Sequence, residues 1–205
     1  MSYYVGMDIG AVSITAALLA RTAEGGAKPD LPAELFRQAG ELDSGELYLS
    51  GYRRTRGRPI AAATAILDEI IAAAGAEAVA GVCLTGGASH LVAQELSAGT
   101  VNEFKAIALG VAGMGMSART VFEMGGQSSK YLLLEHTPDG VSIVDYATNG
   151  DCAAGTGSFI DQQAGRLRFA VEDVGGLALA AERTAQIAGR CSCLLYTSPS
   201  PRDRS

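Results

Sequence analysis

The chain has 205 residues, 48% of them hydrophobic, enough to bury a sizeable core in one large domain or two small ones. A net charge of −6 and a pI near 4.9 argue against nucleic acid or an anionic membrane as the main partner. No apolar run approaches the roughly 20 residues of a spanning helix, and no basic region followed by an apolar stretch opens the chain, so the cytoplasm is the expected compartment.

Tyr3-Tyr4-Val5-Gly6-Met7-Asp8-Ile9-Gly10 reads as a buried strand ending in an acid and a glycine, and Ile14 to Leu19 as a second strand after a short turn. A carboxylate and a glycine at such a junction suit a phosphate and its magnesium. The glycine lets backbone N–H groups approach, and the acid reaches the ion through water. Asp-x-Gly alone is a weak pattern. Arg21 to Gly45, with Pro29, Pro32 and several glycines, reads as loop, and Glu46 to Tyr52 alternates like a strand. Arg53-Arg54-Thr55-Arg56-Gly57-Arg58 then places four arginines in six residues ahead of Pro59 and a helix from about Ile60 to Ala74. That run could clamp a phosphate or a partner protein, or be a solvated turn beside the helix.

Ala80 to Thr85 reads as a short buried strand ending in Gly86-Gly87, with Cys83 alternating inward as plain core. Ser89 to Leu96 gives a short helix, and Asn102-Glu103-Phe104 opens a longer one through Met116 with Asn102 as its cap. Thr120 to Met124 is again a strand, followed by Gly125-Gly126-Gln127-Ser128-Ser129-Lys130. The strands Tyr131 to Glu135 and Val141 to Tyr146 come next, joined by a Pro138-Asp139-Gly140 turn. Strand, glycine turn, strand thus recurs about 115 positions after its first appearance. The echo implies two related lobes facing each other across a cleft, each offering a glycine turn to one phosphate chain; two coincidental hairpins are the alternative.

Asn149-Gly150-Asp151-Cys152-Ala153-Ala154-Gly155-Thr156-Gly157-Ser158-Phe159 is a cysteine followed by a glycine-punctuated turn. Ile160, Gln163, Ala164 and Leu167 repeat at helical spacing after it, which puts Cys152 at or just before a helix N-terminus. Unpaired N–H groups and the helix dipole favour negative charge there, hence thiolate. A metal cluster, a phosphate or a reactive thiol could use such a place, and so could a small residue in a tight turn. Four cysteines, Cys83, Cys152, Cys191 and Cys193, in a chain of this kind point to metal or catalysis before disulfides. From Cys193 onward the Ser/Pro-rich string Leu194-Leu195-Tyr196-Thr197-Ser198-Pro199-Ser200-Pro201-Arg202 breaks with the preceding texture. It resembles translated sequencing adapter, so residues 193–205 are set aside as non-native and the natural chain is expected to diverge near Ser192; a genuine Ser/Pro-rich disordered terminus is the alternative.

Several motifs fall in an order seen in one family. They are Met7-Asp8-Ile9-Gly10, Leu84-Thr85-Gly86, Val101-Asn102-Glu103, Met124-Gly125-Gly126-Gln127 with Lys130, Asn149-x-x-Cys152-Ala153-Ala154-Gly155-Thr156-Gly157, and Ile187-Ala188-Gly189-Arg190-Cys191-Ser192. Across residues 1 to 192 the chain resembles the activator ATPases of 2-hydroxyacyl-CoA dehydratases and benzoyl-CoA reductases, the BadF/BadG/BcrA/BcrD type. The most specific element is the Cys-Ala-Ala-Gly-Thr-Gly motif with a second cysteine 39 positions on (191 − 152). Tyr52-Arg53-Arg54 and Gly57-Arg58-Pro59 are most similar to very long members, in which this module opens a multi-domain chain.

The resemblance implies an α/β fold, ribonuclease-H-like and two-lobed as in sugar kinases and actin. The first lobe would span 1–119 and an incomplete second lobe 120–192. It implies ATP and Mg2+ in the cleft, with Asp8, Glu123 and Gln127 as catalytic residues and Gly10, Ser13, Gly125, Gly126, Gln127 and Lys130 contacting the nucleotide. It further implies a homodimer sharing one 4Fe-4S cluster, Cys152 and Cys191 of each copy being the thiolates, and electron transfer to a dehydratase or reductase-like partner. Two departures bear on hydrolysis. Ala11-Val12-Ser13-Ile14-Thr15 stands where hydroxyl residues and a lysine are common, and Glu123-Met124-Gly125-Gly126-Gln127-Ser128 replaces an Asp-x-Gly-Gly-Gln-Asp pattern. A non-hydrolysing regulatory module and a small-molecule kinase of the same superfold are the other readings.

Overall fold

Alternating apolar residues build the first sheet. In the computed structural model, which describes residues 1–21, 31–42, 45–138, 140–149 and 156–183, β1 (Ser2–Ile9) and β2 (Ser13–Arg21) pair antiparallel. Tyr3, Val5, Met7, Ile9, Ile14, Ala16, Leu18 and Ala20 are all buried on one face, as the two-residue period of a strand requires. β3 (Phe36–Leu42) and β4 (Gly45–Ser50) extend the sheet beyond β2, and the two-residue β5 (Arg53–Arg54) pairs with the start of β2. β3 lies within the stretch expected to be loop. It is an edge strand that buries only Phe36, with an irregular register at Gln38/Gly40, so little alternation marks it in the sequence.

α1 (Pro59–Ala74) starts on a proline, whose missing N–H would have had no intrahelical partner, and ends at Gly75, with φ +84° and its N–H on Ile71 O at 2.8 Å. Its buried residues Ala63, Ile66 and Ile70 follow helical spacing and cover the β1–β2 face. Each fully buried aliphatic side chain in this layer contributes about 1.5–3 kcal/mol. β6 (Val79–Thr85) joins β1 in parallel with Thr85 beside Asp8. α2 (Ser89–Leu96) packs on the same side as α1, and β7 (Gly99–Thr100) forms the far edge.

Cys83 is not core. Leu84 is the β6 residue buried under the helices, so its neighbour Cys83 points to the opposite face and is exposed. Tyr4 and Asp8 are exposed on that same side of β1.

α3 (Glu103–Gly113) is capped as expected, the Asn102 side chain accepting from Phe104 N–H at 2.9 Å, and it ends three residues before Met116. It packs on the second sheet, in which β9 (Ser129–Thr137) lies between β8 (Thr120–Met124) and β10 (Gly140–Thr148), all antiparallel. Ala108 and Val111 meet Leu132 and Leu134 there. On the other face Phe122 and Met124 are exposed, while Tyr146, level with Leu132 across β9 and β10, meets the ring of Phe104 on α3 at 4.8 Å between centroids. α4 (Gly157–Leu167) and α5 (Val174–Leu179) follow. Cys152, Cys191, Cys193, Asp139 of the expected turn and the 193–205 tail lie outside the described residues.

Candidate functional site

The two glycine turns close identically. Gly10 N–H donates to Ser13 O at 2.9 Å and Gly125 N–H to Ser128 O at 2.8 Å, and both pairs are separated by 115 positions (125 − 10 and 128 − 13). The turns approach each other closely: a Cβ on Gly126 would stand 2.8 Å from Val12 Cγ2. Between them opens a cavity of about 970 Å3. All eight residues expected at a nucleotide site line it: Asp8, Gly10, Ser13, Glu123, Gly125, Gly126, Gln127 and Lys130. Gly10 and Gly125 use their own N–H groups to close the turns, so their contribution is to shape them.

Charge in the cavity is organised around Lys130, which is 6% exposed. Its Nζ donates to Glu123 Oε2 at 2.9 Å and Ser128 Oγ at 2.9 Å, and lies 3.2 Å from Glu103 Oε1, so three acceptors surround its three donors. Burial works to lower its pKa, but the Glu123 hydrogen bond and the charges of Glu103 and Glu123 outweigh it and hold it above the ordinary lysine value. Asp8 shows the opposite imbalance. Desolvation by the cleft walls, then repulsion from Glu103 and Glu123, raises its carboxyl above the usual range, against the pull of Lys130. Asp8 is open to the cleft along one side, yet the low-dielectric walls and two like charges dominate its titration.

Two contributors carried no assigned role at the sequence level. Glu103 opens α3 and reaches Lys130 from there; its motif, Val101-Asn102-Glu103, marked the family resemblance but gave no chemistry. Gly86 wraps the other side of Asp8: with φ +95°, a Cβ there would lie 2.5 Å from Ile9 O and 2.6 Å from Asp8 Oδ1. The arginine run is a brace. Arg53 forms a two-pronged ion pair with Glu69 of α1, and Arg54 with Asp161 of α4. Thr55, 3% exposed, fixes the first turn through Oγ1 to Ala11 O and N–H to Val12 O, both 2.9 Å.

The second turn is tied to α4. Gly157 N–H donates to Gly125 O at 3.0 Å and Ser158 N–H to Gly126 O at 2.8 Å, with the Ser158 hydroxyl on the same oxygen. The helix that follows the Cys152 segment therefore begins against a turn lining the cavity.

A triphosphate with magnesium fits this donor set. Asp8, Glu103 and Glu123 offer hard oxygens, and Ala11, Val12, Ser13, Gly126, Gln127 and Ser128 line one continuous space. Among the described residues no three His, Cys, Asp or Glu side chains converge as a metal-ligand cage. Magnesium keeps several waters and binds through one or two carboxylates plus phosphates, so no such cage is needed for it.

The family model described as BadF/BadG/BcrA/BcrD ATPase family matches residues 5–198. An activator of lactoyl-CoA dehydratase from Anaerotignum propionicum is 32% identical over 92 residues, 45% of this chain and 34% of that protein. The structure of the activator of the 2-hydroxyisocaproyl-CoA dehydratase from Clostridium difficile with bound ADPNP is similar with a TM-score of 0.63 at 23% identity, over 95% of this chain and 63% of that one. Component A of the Acidaminococcus fermentans (R)-2-hydroxyglutaryl-CoA dehydratase gives a TM-score of 0.62 at 21% identity, over 100% and 72%. The match spans about a third of the length of the curated relatives. The fold is therefore the mixed α/β, two-lobed fold of the actin and sugar-kinase type.

Proposed function

The chain belongs to the BadF/BadG/BcrA/BcrD ATPase family, and from that premise we propose that it serves as an ATP-dependent activator that delivers a low-potential electron to a 2-hydroxyacyl-CoA dehydratase or benzoyl-CoA reductase-like enzyme. The observation that carries the reading is the pair of matched glycine turns facing one carboxylate-lined cavity. The naming of its relatives as dehydratase activators supports the partner, and the ADPNP-bound relative supports ATP.

Bound ATP with magnesium would supply the phosphoryl group whose loss drives the cycle, and a 4Fe-4S cluster would supply the electron. Ala11 to Ser13 and Gly126 to Ser128 border the phosphates. Asp8 and Glu123 would hold the ion through its waters, with Lys130 restraining Glu123. Gln127, exposed and lining the cleft, would orient the attacking water. The lobes follow the 1–119 and 120–192 division, with α3 of the first segment packed on the second sheet. Cys152 and Cys191 of two copies would hold the cluster in a homodimer, and α4, bonded to Gly125 and Gly126, would carry cleft closure to the segment that precedes it in the chain. The compartment is the cytoplasm; among the described residues no helix is long and apolar enough to cross a membrane.

One observation favours the regulatory reading as the second choice. Ser128 gives Lys130 a hydroxyl acceptor at a position where the family pattern has a carboxylate, so the magnesium side of the cavity carries one charge fewer.

The test uses anaerobically purified full-length protein. Wild type is expected to be brown, to bind iron and to hydrolyse ATP, and Cys152→Ser to lose the iron. Colourless, iron-free wild-type protein with freely alkylated cysteines would sink the activator. Iron without hydrolysis would select the regulatory module, and phosphoryl transfer to a small molecule that survives Cys152→Ser would select the kinase.

A further inference from the structure

Three tethers meet at β5. Strand alternation sends Arg53 to α1, where it holds Glu69, and Arg54 into the cleft. There Arg54 Nη1 and Nη2 donate to Asp161 Oδ1 and Oδ2 at 3.1 and 2.5 Å. Thr55, next in the chain, holds the first glycine turn. Arg54 and Asp161 are 107 positions apart, one on the first sheet and one on α4, whose first turn is bonded to the second glycine turn. We infer that the Arg54–Asp161 ion pair is a latch between the lobes, holding the two glycine turns together across the cleft and releasing when the cleft opens. The inference rests on the nucleotide-cleft reading for its purpose but not for its geometry.

The chemistry suits a contact that must break. A two-pronged guanidinium–carboxylate pair is directional and charge-assisted. With the side chains 34% and 24% exposed, water competes for both partners and keeps the pair weak enough to open. Asp161 is the main attraction on the Arg54 guanidinium, and Glu172, lining the same cavity, adds a smaller one. Lys130 also joins the two segments, through Glu103, but α3 already packs on the second sheet, whereas Arg54–Asp161 runs from the first sheet to α4.

Amide hydrogen exchange on the nucleotide-free full chain tests the latch. Arg54→Asp and Asp161→Arg should each speed exchange in the facing turns, residues 10–13 and 125–128, by about two- to fivefold, the range for a partly exposed ion pair. The swapped double variant should return it to the wild-type rate. Arg54→Gln and Asp161→Asn, which remove charge without reversing it, should move in the same direction and keep the test alive should a reversal fail to fold. Unchanged exchange in the single variants, or a swap that restores nothing, overturns the latch. An effect of Arg54→Asp without any of Asp161→Arg also overturns it, since Arg54 would then act on its own. A parallel measurement of fluescently labelled ADP separates the two readings: wild type that binds none defeats the nucleotide cleft, while the exchange result still decides the latch.

Discussion

Asp8 and Glu123 hold the same position in two matching hairpins. Asp8 faces Thr15 across the first and Glu123 faces Lys130 across the second, each partner seven residues on (15 − 8 and 130 − 123). The repeat has thus kept a carboxylate in both turns but given a cation to only one. Lys130 stands where its counterpart is Thr15, and it is bonded to Glu123 and paired with Glu103. The cleft therefore contains one neutralised acid and one whose ionisation is opposed.

Asp8→Asn should separate stability from function. Because burial and then Glu103 and Glu123 raise the Asp8 pKa, the folded chain holds that proton more tightly than the unfolded chain. The contribution to stability is present at low pH and is lost as pH rises from the ordinary carboxylate value through the raised one. At neutral pH the ionised carboxylate is a net cost, below about 1 kcal/mol after solvent screening. The asparagine variant should melt slightly higher at pH 7, show no such gain at pH 3, and lose ATP hydrolysis. A variant that melts lower at pH 7 would mean that Asp8 has a stabilising partner in the folded chain.

Lys130→Met removes the attraction that opposes the rise of the Asp8 carboxyl and strands Glu103 and Glu123 together. Both glutamates are more than a third exposed, so water recovers part of the loss. The expected destabilisation is about 1–3 kcal/mol by urea titration, less than for a fully buried broken pair. The acid limb of any ATPase pH profile tracing Asp8 should move to higher pH in the same variant. A limb that stays in place while stability falls would detach Lys130 from the titration of Asp8.

The legible parts of the fold were those that local chemistry determines. β1 and β2 alternate strictly, Pro59 and Gly75 bracket α1, and Asn102 caps α3 through its own side chain. The repeat pointed to an acid beside a glycine turn in each half, the family resemblance supplied Ser13, Gln127 and Lys130, and all eight residues line one cavity. β3 was hidden because an edge strand buries little, and Cys83 was misplaced because an apolar run does not say which face of β6 the helices cover. Glu103 and Arg54 were visible as residues but not as contacts. Their partners lie 27 and 107 positions away (130 − 103 and 161 − 54), in elements brought near only by the packing of α3 and α4.

Gly86→Ala should damage the cleft from behind. The residue adopts φ +95°, a conformation that side chains disfavour, and its new Cβ would press on Ile9 O and Asp8 Oδ1. A loss of about 1–3 kcal/mol is expected from strain and overpacking together. Gly87→Ala, with open space around its Cβ, is the control and should be near neutral in the same thermal melt.

Gly126→Ala tests how closely the turns must approach. The added methyl would lie 2.8 Å from Val12 Cγ2 and 3.0 Å from Val12 Cβ, and a valine side chain has no long flexible end to swing away. Something must shift, and the turn is bonded through Gly126 O to the start of α4, so the movement should reach that helix. Overpacking of this size costs about 1–3 kcal/mol, which at a tenfold change per 1.4 kcal/mol should weaken nucleotide binding by about tenfold. Val12→Gly in the same chain removes both atoms being struck, so the Val12→Gly/Gly126→Ala pair should recover most of the affinity, measured by calorimetric titration with ADP. Were the double variant as weak as Gly126→Ala alone, the requirement for glycine would lie in contact between residue 126 and the phosphates themselves and not in the approach of the two turns.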